Sequence, residues 1–553
     1  MASSRTYPTP LMSFFYLCLI ILFLSTSSQS LSSETEALLK WKATLQNYSV
    51  SALRSWKLTS SSSAPIPCCN WFGITCNKAR SSVIEISLPE VELQGTLDNF
   101  TFSSFPNLLC LNLSGNGLTG PIPVHIGSLS KLILLDLSNN YLSSVLPPLS
   151  NLSSLHFLDL YGNEISGKIP LEIGNMKNLV ELAIASNKFT VPTEIRDLKN
   201  LIYLELSFNN LSGPIPHSLS NLIRLESLYL HSNQLSGPIP SEIGDMKNQI
   251  DLELSQNNLS GPIPHSLSTL TRLEFLYLDL NQLSGPMPSK IGDMKNLIDL
   301  ELSENNLSGP IPHSLSNLTR LEFLSLNSNQ LSGAIPQDFG SQASIVEFQL
   351  CNNLLSGSLP QQICQGRSLQ RLVVQNNKLT GPIPDFRNCT TLMRVRLEKN
   401  LLVGNITDSF GVYPHLYYID MSHIRLYGEL SPNWEKGKNL SVLKISGNNI
   451  SGKIPPEIGQ LTRLGLLDLS FNKLAGEIPK ELGSLSTLFH LNLSGNHISG
   501  HVPIEIGNLI NLELLDLSAN MLTRSILTQL RQCSKLLSFE LEFIEWKHSI
   551  SNW

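Results

Sequence analysis

Charged residues are scarce in this chain, and basic residues do not outnumber acidic ones. Only 15% of the 553 residues are charged, and 38 basic against 44 acidic side chains give a net charge of −6. Without a surplus of Lys and Arg the chain cannot neutralise many phosphates, which excludes a nucleic-acid-binding protein of the basic type. The apolar fraction of 41% excludes wholesale disorder.

Long hydrophobic runs are missing beyond the amino terminus. Residues 11–24 are nearly all apolar, follow a short segment containing Arg5, and precede small residues up to Ser30. This order is typical of a secretory signal peptide, residues 1–30, cleaved near Ser30. A membrane anchor is the less favoured alternative, because the run is shorter than the ~20 residues that span a bilayer. No later apolar run is long enough, so the sequence predicts no transmembrane helix in the mature chain.

The residue patterns of enzymes are also absent. The sequence contains neither the Val-Ala-Ile-Lys strand nor the His-Arg-Asp loop of protein kinases. Its 12 histidines are scattered, which disfavours a zinc site, and no nucleophile stands beside an orienting base. We therefore predict no catalytic residue, no metal site, no cofactor and no enzymatic activity.

An internal repeat accounts for most of the sequence. The pattern Leu-x-x-Leu-x-Leu-x-x-Asn-x-Leu recurs nineteen times, and fourteen of its eighteen spacings are 24 residues. Val91 and Ile424 replace the Asn in two repeats. The column of Asn residues comprises Asn116, Asn140, Asn163, Asn187, Asn209, Asn233, Asn257, Asn281, Asn305, Asn329, Asn353, Asn377, Asn400, Asn448, Asn472, Asn496 and Asn520. This period predicts an α/β repeat solenoid, in which each leucine-rich repeat supplies one short strand.

The repeat pattern indicates a physical role for each of its positions. The leucines point inward and stack into a continuous core, while the residues between them alternate outward. The column Asn is predicted to be buried, with its amide satisfying backbone groups of its own turn and the neighbouring one. Ile424 cannot make those hydrogen bonds, so we expect a local weakness there. Near copies recur every 48 residues, as at Pro216, Pro264 and Pro312, which indicates duplication of a two-repeat unit.

Two further motifs carry a family resemblance. After the Asn comes Leu-Ser-Gly-x-Ile-Pro, as at residues 211–216, which resembles the plant-specific class of leucine-rich repeat. Residues 69–76, Cys-Asn-Trp-Phe-Gly-Ile-Thr-Cys, resemble the amino-terminal cap of plant receptor ectodomains. The chain thus resembles plant leucine-rich-repeat receptor-like kinases. Within them it resembles the male-discoverer-interacting group, through residues 102–108, Phe-Ser-Ser-Phe-Pro-Asn-Leu, and 388–392, Asn-Cys-Thr-Thr-Leu. This resemblance implies a right-handed superhelix and a helical N-terminal cap closed by a Cys69–Cys76 disulfide.

The residue patterns and the resemblance together predict the domain organisation. We expect a signal peptide at 1–30, the cap at 31–80, a solenoid of about 19 repeats at 81–537 and a divergent tail at 538–553. No carboxy-terminal cap, membrane helix or kinase segment follows the repeats. The interpretation favoured by the family pattern is a truncation before the transmembrane and kinase segments, and a genuine secreted form is the alternative.

Candidate ligand-binding residues lie six, four and two positions before each column residue, on the concave face of the predicted solenoid. Aromatic and acidic side chains alternate there, and arginines follow further along. Aromatics supply contact area and carboxylates favour basic groups, so we predict that the face binds an extended peptide. The alternative is that duplication simply copied Asp251 and Glu253 into Asp299 and Glu301. The candidates are Phe157, Asp159, Tyr161, Tyr203, Glu205, Tyr229, His231, Asp251, Glu253, Phe275, Tyr277, Asp279, Asp299, Glu301, Phe323, Arg371, Arg394 and Arg396.

The pair Arg394 and Arg396 places two guanidinium groups on the exposed side of one strand. Arginine pairs with carboxylate through two parallel hydrogen bonds. In related peptide receptors an Arg-x-Arg pair at this strand position looks like the clamp for the free carboxyl end of the ligand. The alternative is a solvated strand whose charge is neutralised by Glu398.

Cysteines and sequons complete the predicted sites. Cys364 and Cys389 lie one repeat apart, so stacking could bring them within bonding reach, although a reduced pair remains the alternative. No partner is predicted for Cys68, Cys110, Cys351 or Cys533. Glycosylation is predicted among the Asn-x-Ser/Thr sequons at Asn47, Asn99, Asn112, Asn151, Asn210, Asn258, Asn306, Asn317, Asn388, Asn405, Asn439, Asn449 and Asn492.

These observations and the resemblance predict the extracellular ligand-binding module of a plant receptor-like kinase, acting in signalling or defence. The implied partners are a secreted peptide and the ectodomain of a co-receptor kinase, with membrane attachment only through a missing C-terminal segment. The expected location is the apoplast, or the outer face of the plasma membrane in a full-length parent form. The alternatives are a secreted decoy and a cell-wall hydrolase inhibitor of the leucine-rich-repeat type.

Overall fold

The computed structural model describes residues 32–46, 52–58, 67–190, 195, 197–341, 345–409, 413–523 and 530–540. The predicted signal peptide, Asn47 and the tail from residue 541 lie outside the described residues. The chain divides into two compact units, Met1–Gln234 (unit 1) and Leu235–Trp553 (unit 2). Within the described ranges we find no helix with the length and apolarity that a membrane crossing requires.

Unit 1 begins with the predicted helical cap. The helix Ser32–Lys42 buries Trp41, whose indole N–H donates to the carbonyl of Thr96 at 3.1 Å. The disulfide Cys69–Cys76 joins Cα atoms 5.5 Å apart and closes the segment before the first repeat. Strand Ile74–Cys76 then pairs antiparallel with Val83–Ser87. The cap thus covers the apolar end that a stack of repeats would otherwise expose.

Each repeat of unit 1 adds one short strand to a parallel ladder. The leucines are in register, so that Leu182 lies beside Leu158 and Leu204, and all three are buried. The strands are Val83–Ser87, Cys110–Asn112, Leu134–Asp136, Phe157–Asp159, Glu181–Ala183, Tyr203–Glu205 and Ser227–Tyr229.

Unit 2 continues the same plan with its own parallel ladder. Leu321, Leu324 and Leu326 are fully buried, which shows the inward-facing set within a single repeat. Its strands are Asp251–Glu253, Phe275–Tyr277, Asp299–Glu301, Phe323–Ser325, Glu347–Gln349, Arg371–Val373, Arg394–Arg396, Tyr418–Asp420, Val442–Lys444, Leu466–Asp468, His490–Asn492, Leu514–Asp516 and Ser538–Glu540. The predicted parallel-strand repeat architecture is confirmed.

A second series of strands follows the column residues, where the Ser-Gly-x-Ile-Pro motif lies. Gly309 adopts φ +78° there, a conformation that glycine tolerates without strain. These strands are Gln94–Thr96, Gly117–Gly120, Tyr141–Val145, Glu164–Gly167, Lys188–Phe189, Ser212–Gly213, Gln234–Gly237, Asn258–Gly261, Gln282–Gly285, Asn306–Pro310, Gln330–Ala334, Leu354–Gly357, Lys378–Leu379, Val403–Asn405, Arg425–Glu429, Asn449–Ser451, Ala475–Gly476, His497–Gly500 and Met521–Leu522.

Short helical turns connect the second-series strands to the next ladder strand. One short α-helix, Ile406–Ser409, also follows a second-series strand. The 3₁₀ turns are Pro67–Asn70, Phe102–Ser104, Val124–Ser128, Leu171–Asn175, His217–Asn221, Ser241–Asp245, His265–Thr269, Ile291–Asp293, His313–Asn317, Phe386–Asn388, Pro432–Lys436, Pro456–Gln460, Lys480–Ser484, Ile504–Asn508 and Leu530–Gln532. Proline stands before many of these turns because its fixed φ suits a helix start.

The column asparagines hold successive repeats together, as predicted. In Asn329 the side-chain amide donates to the carbonyls of Leu302, Leu326 and Asn327 at 2.9–3.3 Å. Its carbonyl oxygen accepts the backbone N–H of Leu307 at 2.9 Å. One buried side chain therefore satisfies groups of its own repeat and of the preceding one, and the pattern recurs along both units.

The residue before the column position adopts a left-handed conformation, a feature that the sequence pattern did not predict. Glycine takes this place at Gly115, Gly162, Gly447 and Gly495, with φ between +64° and +65°. Bulky residues take it elsewhere, including Phe208, Leu280 and Phe471 at φ +51° to +53°. Since non-glycine residues are strained there, the repeat geometry overrides local preference at these positions.

The expected weakness at Ile424 is visible in one unpaired amide. Elsewhere the side chain of a column Asn accepts a backbone N–H from the preceding repeat. The donor stands two residues after the column residue of that repeat, as Leu379 does for Asn400. Ile424 is buried in that slot, and the N–H of Leu402 has no acceptor among the described residues.

The substitution Ile424→Asn is expected to raise the free energy of unfolding of unit 2 by about 1 kcal/mol. Four regained hydrogen bonds of about 1 kcal/mol each outweigh the lost burial of an isoleucine side chain. Urea denaturation followed by circular dichroism measures the change. Ile424→Val is the control, because it removes one methyl group, restores no hydrogen bond and should destabilise by about 1 kcal/mol. Equal destabilisation by both variants would contradict the expectation.

Candidate functional site

The exposed side of the two ladders carries the candidate ligand-binding residues. In strand Tyr203–Glu205 the central Leu204 is buried, while both flanking side chains are half-exposed. The three-residue ladder strands from Cys110–Asn112 to Leu514–Asp516 all bury their central residue, because successive side chains of a strand point to opposite faces. In some of them a flanking residue is buried too, as in Asp251–Glu253. We call the side chains six, four and two positions before each column residue the ladder face.

The ladder face of unit 1 combines aromatic rings with carboxylates. The rings of Tyr203 and Tyr229 lie on neighbouring strands with centroids 5.5 Å apart. The hydroxyl of Tyr203 donates to Glu205 at 2.7 Å, and the hydroxyl of Ser207 donates to the other oxygen of that carboxylate at 3.0 Å. These bonds fix the tyrosine and the glutamate in place, so the surface is preorganised.

Carboxylates crowd one another on this face. Burial, followed by the charge of Asp136, raises the pKa of Asp159 to about 7, and Glu181 and Glu205 on later strands add to the effect. Burial, followed by the charge of Glu205, raises the pKa of Glu181 to about 7. A ligand cation would relieve this repulsion, since opposite charge favours the ionised form.

The face is recessed at strand Glu181–Ala183. Ala183 and Ala185 occupy ladder-face positions there and are both buried. The adjacent strands carry Phe157 and Asp159 on one side and Tyr203 and Glu205 on the other. Because alanine side chains are short, the surface is lower here than at the aromatic and acidic side chains of the two neighbouring strands.

The ladder face of unit 2 begins as a checkerboard of acidic and aromatic residues. Asp251 pairs with Phe275, which pairs with Asp299, and Glu253 lies beside Tyr277. The hydroxyl of Tyr277 donates to Asp299 at 3.1 Å. The checkerboard follows from the 48-residue duplication, because one repeat of each pair brings carboxylates and the other brings aromatic rings.

Three predicted ligand-binding residues are buried. His231, Glu253 and Asp299 are only 7%, 4% and 3% exposed, so little of their surface is open to a ligand. Burial lowers the pKa of His231 to about 4, which keeps the imidazole neutral, and its ring meets Phe208 edge-on at 5.0 Å. The remaining candidates are partly exposed: Phe157, Asp159, Tyr161, Tyr203, Glu205, Tyr229, Asp251, Phe275, Tyr277, Asp279, Glu301, Phe323, Arg371, Arg394 and Arg396.

The arginines lie among ion pairs that span neighbouring strands. Arg371 contacts Glu347 at 2.7 Å. Further along, Lys444 contacts Asp420 at 3.2 Å. The sequence analysis missed these partners, although each cation and its carboxylate stand at the same position of adjacent repeats.

The two members of the Arg-x-Arg pair differ in their surroundings. Arg396 donates to Glu398 through both Nε and Nη2, so its charge is paired within its own strand. Arg394 makes no ion pair among the described residues, and its guanidinium lies over the ring of Tyr418 at 4.5 Å. Stacking on an aromatic ring leaves the hydrogen-bond donors of an arginine free for a ligand.

The balance of charges on this part of the ladder face also singles out Arg394. From strand Glu347–Gln349 to strand Val442–Lys444 the ladder face holds four basic and three acidic side chains. Each acidic side chain is paired, which leaves one net positive charge at Arg394. The basic side chains are Arg371, Arg394, Arg396 and Lys444, and the acidic ones are Glu347, Glu398 and Asp420. This surface is suited to a single carboxylate.

The predicted cysteine and sequon sites are placed as follows. A disulfide joins Cys364 and Cys389, with Cα atoms 5.2 Å apart. The thiols of Cys68, Cys110, Cys351 and Cys533 are unbridged and buried. Asn47 and the side chain of Asn388 lie outside the described residues. Exposed sequon residues are Asn99, Asn151, Asn210, Asn258, Asn306, Asn317 and Asn449, and partly exposed ones are Asn112, Asn405, Asn439 and Asn492.

The described residues contain no group of His, Cys, Asp and Glu arranged to hold a metal ion. The described arrangement is therefore a binding surface of aromatic, acidic and basic side chains, with its polar groups fixed by hydrogen bonds.

Family models match several parts of the chain. A leucine-rich repeat region matches residues 92–237, and a leucine rich repeat N-terminal domain matches residues 31–77. Single leucine rich repeat models match 288–331, 250–270, 439–461, 463–485 and 487–509. No kinase model matches the chain.

Curated relatives are receptor kinases of Arabidopsis thaliana. The leucine-rich repeat receptor-like serine/threonine-protein kinase RGI4 is 40% identical over 126 residues, 23% of this chain and 11% of that protein. MDIS1-interacting receptor like kinase 2 is 40% identical over 114 residues, 20% of this chain and 10% of that protein. The matched segments thus span about a tenth of the length of these relatives.

Solved structures match over almost the whole chain. The Arabidopsis receptor kinase HAESA, solved with the peptide hormone IDA and the co-receptor SERK1, is 32% identical with a TM-score of 0.81. That match covers 92% of this chain and 90% of HAESA's. The plant peptide hormone receptor RGFR1, solved with RGF2, is 32% identical with a TM-score of 0.63, covering 86% and 95%. Since both the repeats and the cap match, the chain belongs to the family of leucine-rich-repeat ectodomains of plant receptor-like kinases.

Proposed function

We propose that the chain is the ligand-binding part of a plant receptor, and that its ladder face binds a secreted peptide. The observation that carries the proposal is the uncompensated guanidinium of Arg394 in a patch whose other charges are paired. A peptide offers a single carboxylate at its carboxyl end, which matches the single net charge. HAESA was solved with the peptide hormone IDA, and the plant peptide hormone receptor RGFR1 was solved with RGF2.

The remaining candidate residues are proposed to bind the body of the peptide. In each unit, aromatic rings next to carboxylates offer apolar contact area beside groups that attract basic side chains. The low surface above Ala183 is suited to a Lys or Arg side chain of the ligand, because Asp159 and Glu205 lie on either side of it. Buried Glu253 and Asp299 would contribute charge to the face rather than direct contact.

We further propose an extracellular location and a co-receptor partner. Membership of this receptor family implies that the repeats lie outside the cell or on the outer face of the membrane. The two disulfides suit an oxidising compartment. The co-receptor SERK1 in the HAESA complex suggests a partner of the same class for this chain.

The test compares free-acid and carboxyl-amidated forms of a library of synthetic peptides for binding to the purified chain. We expect selected peptides to bind as free acids, and Arg394→Ala to weaken them about thirtyfold, since a charge-assisted bidentate pair contributes ~2 kcal/mol. Isothermal titration calorimetry gives the affinities.

Arg425→Ala is the matched control, because Arg425 is exposed and begins a second-series strand away from the ladder face. It should leave affinity unchanged. Binding that does not distinguish the acid from the amide, or that survives Arg394→Ala, would overturn the proposed carboxylate contact.

A further inference from the structure

Glu398 and Arg396 form an ion pair whose geometry is incomplete. Two of the guanidinium donors of Arg396, on Nε and Nη2, end on one carboxylate oxygen, Oε1, with the Nε contact at 2.9 Å. The other oxygen, Oε2, is buried and has no hydrogen-bond partner among the described residues. A bidentate carboxylate would give each oxygen its own donor, so Glu398 is a suboptimal partner for Arg396.

Two more buried polar atoms without partners flank Glu398. Gln375 in the preceding repeat and Ser422 in the following one each stand two positions before the column residue, as Glu398 does. Gln375 Oε1 and Ser422 Oγ are both buried and unpaired within the described part of the chain. Buried polar groups normally have partners, so these three atoms are open to a new hydrogen bond if the site rearranges.

We propose that the carboxylate of Glu398 occupies the guanidinium group of Arg396 in the absence of ligand, and that a ligand carboxylate displaces it on binding. The inference rests on the proposed function, because it assumes that a carboxylate reaches the Arg-x-Arg pair. Arg394 is already free to receive it, whereas Arg396 can offer its Nε and Nη2 edge only after the bond to Glu398 breaks. Glu398 therefore lowers the affinity for every ligand and makes the site selective. Only a ligand whose carboxylate pairs with Arg396 more favourably than Glu398 does can bind there.

Displacement leaves Glu398 without its cation in a buried place. The nearby charged and titratable groups are Arg394 and Arg396 in its own repeat, Tyr418 and Asp420 in the next, and Arg371 and Cys351 in earlier repeats. Burial, opposed by the bond to Arg396 and reinforced by Asp420, already raises the pKa of Glu398. Losing Arg396 raises this pKa further, which favours the uptake of a proton from solvent by Glu398. The resulting O–H can donate to Gln375 Oε1, which lacks a partner.

The first experiment needs no ligand. p-Hydroxyphenylglyoxal modifies accessible guanidinium groups, and peptide mapping reports the rate at each arginine. In the unmodified sequence Arg394 should react about tenfold faster than Arg396, whose donors are held by Glu398. Glu398→Gln should bring the two rates together. Equal rates in the starting protein, or protection that persists in the variant, would overturn the proposal.

Controls separate this effect from misfolding. Asp385→Asn makes the same chemical change in the exposed Arg387–Asp385 pair and should leave Arg396 protected. If Glu398→Gln does not fold, as judged by circular dichroism, Glu398→Met keeps the volume, removes both oxygens and should release Arg396 equally.

The second experiment uses a free-acid peptide from the library and its carboxyl amide as the probe. Glu398→Gln should raise the affinity for the acid about tenfold and leave the amide unchanged. Calorimetry in two buffers of different ionisation enthalpy should show proton uptake in the starting protein that disappears in the variant. If no free-acid peptide binds, the proposed function fails while the arginine reactivity still decides the ion pair. Acid-specific binding with no gain in Glu398→Gln would overturn the displacement alone.

Discussion

Replacement of the column residue Asn329 by alanine is expected to lower the free energy of unfolding by about 3 kcal/mol. The substitution removes four hydrogen bonds and leaves the N–H of Leu307 buried without its acceptor. An unsatisfied buried donor costs ~1–3 kcal/mol, and each lost hydrogen bond adds to that. The carbonyls of Leu302 and Leu326 retain a second asparagine donor each, which limits the loss.

The damage should be confined to neighbouring repeats. Stability in a repeat protein is approximately a sum of unit and nearest-neighbour terms, so a broken contact between two repeats loosens those two first. Amide hydrogen exchange should therefore accelerate in the repeats around Leu302 and Leu326. The ladder around Leu515 in the same unit should be unaffected.

The adjacent carboxamide provides the control for Asn329→Ala. Gln330 follows Asn329 directly and is exposed at the start of a second-series strand. Gln330→Ala should change the free energy of unfolding by less than ~0.5 kcal/mol, because exposed substitutions rarely do more. Urea denaturation compares the two variants, and equal effects would show that the column asparagines do not carry the stability argued here.

The fold could be predicted because each structural position of the repeat recurs many times in the sequence. Seventeen column asparagines establish a buried hydrogen-bonding position, and the structure confirms the bonds at Asn329 and its counterparts. The left-handed residue before the column was missed for the opposite reason. Phe208, Leu280 and Phe471 occupy that place alongside glycines, so residue type does not reveal the backbone conformation. Packing of neighbouring repeats imposes it.

The candidate site was predictable in position but not in pairing. Alternation places Arg394 and Arg396 on the exposed face of one strand, and both are there. Which cation is neutralised depends on side-chain directions across strands: Arg396 turns to Glu398, and Arg394 turns to Tyr418. The sequence contains both partners but does not decide between them. The binding roles of these residues stay predictions.

Asp159 makes the stability of unit 1 depend on pH. Its carboxyl has a pKa of about 7 because burial and three neighbouring carboxylates disfavour the charged form, while an unfolded Asp titrates near its ordinary value of 3.8. Between these values the folded chain binds more protons than the unfolded chain. The free energy of unfolding therefore falls as pH rises from about 4 to about 7. Glu181 acts in the same direction.

Unit 1 is therefore expected to unfold less readily at pH 5 than at pH 8, with Asp159 contributing about 2 kcal/mol to the difference. Asp159→Asn should stabilise the unit at pH 8, because it removes the repelled charge and keeps the oxygen that accepts the N–H of Tyr161 at 2.9 Å. At pH 5 the variant should match the starting protein. Thermal unfolding at both pH values tests this crossover. Asp468→Asn is the control. It makes the same substitution at the same strand position of another repeat, where the neighbouring side chain is the basic Lys444. An Asp159→Asn variant no more stable than the starting protein at pH 8 would show that the crowded carboxylates do not control this unit's stability.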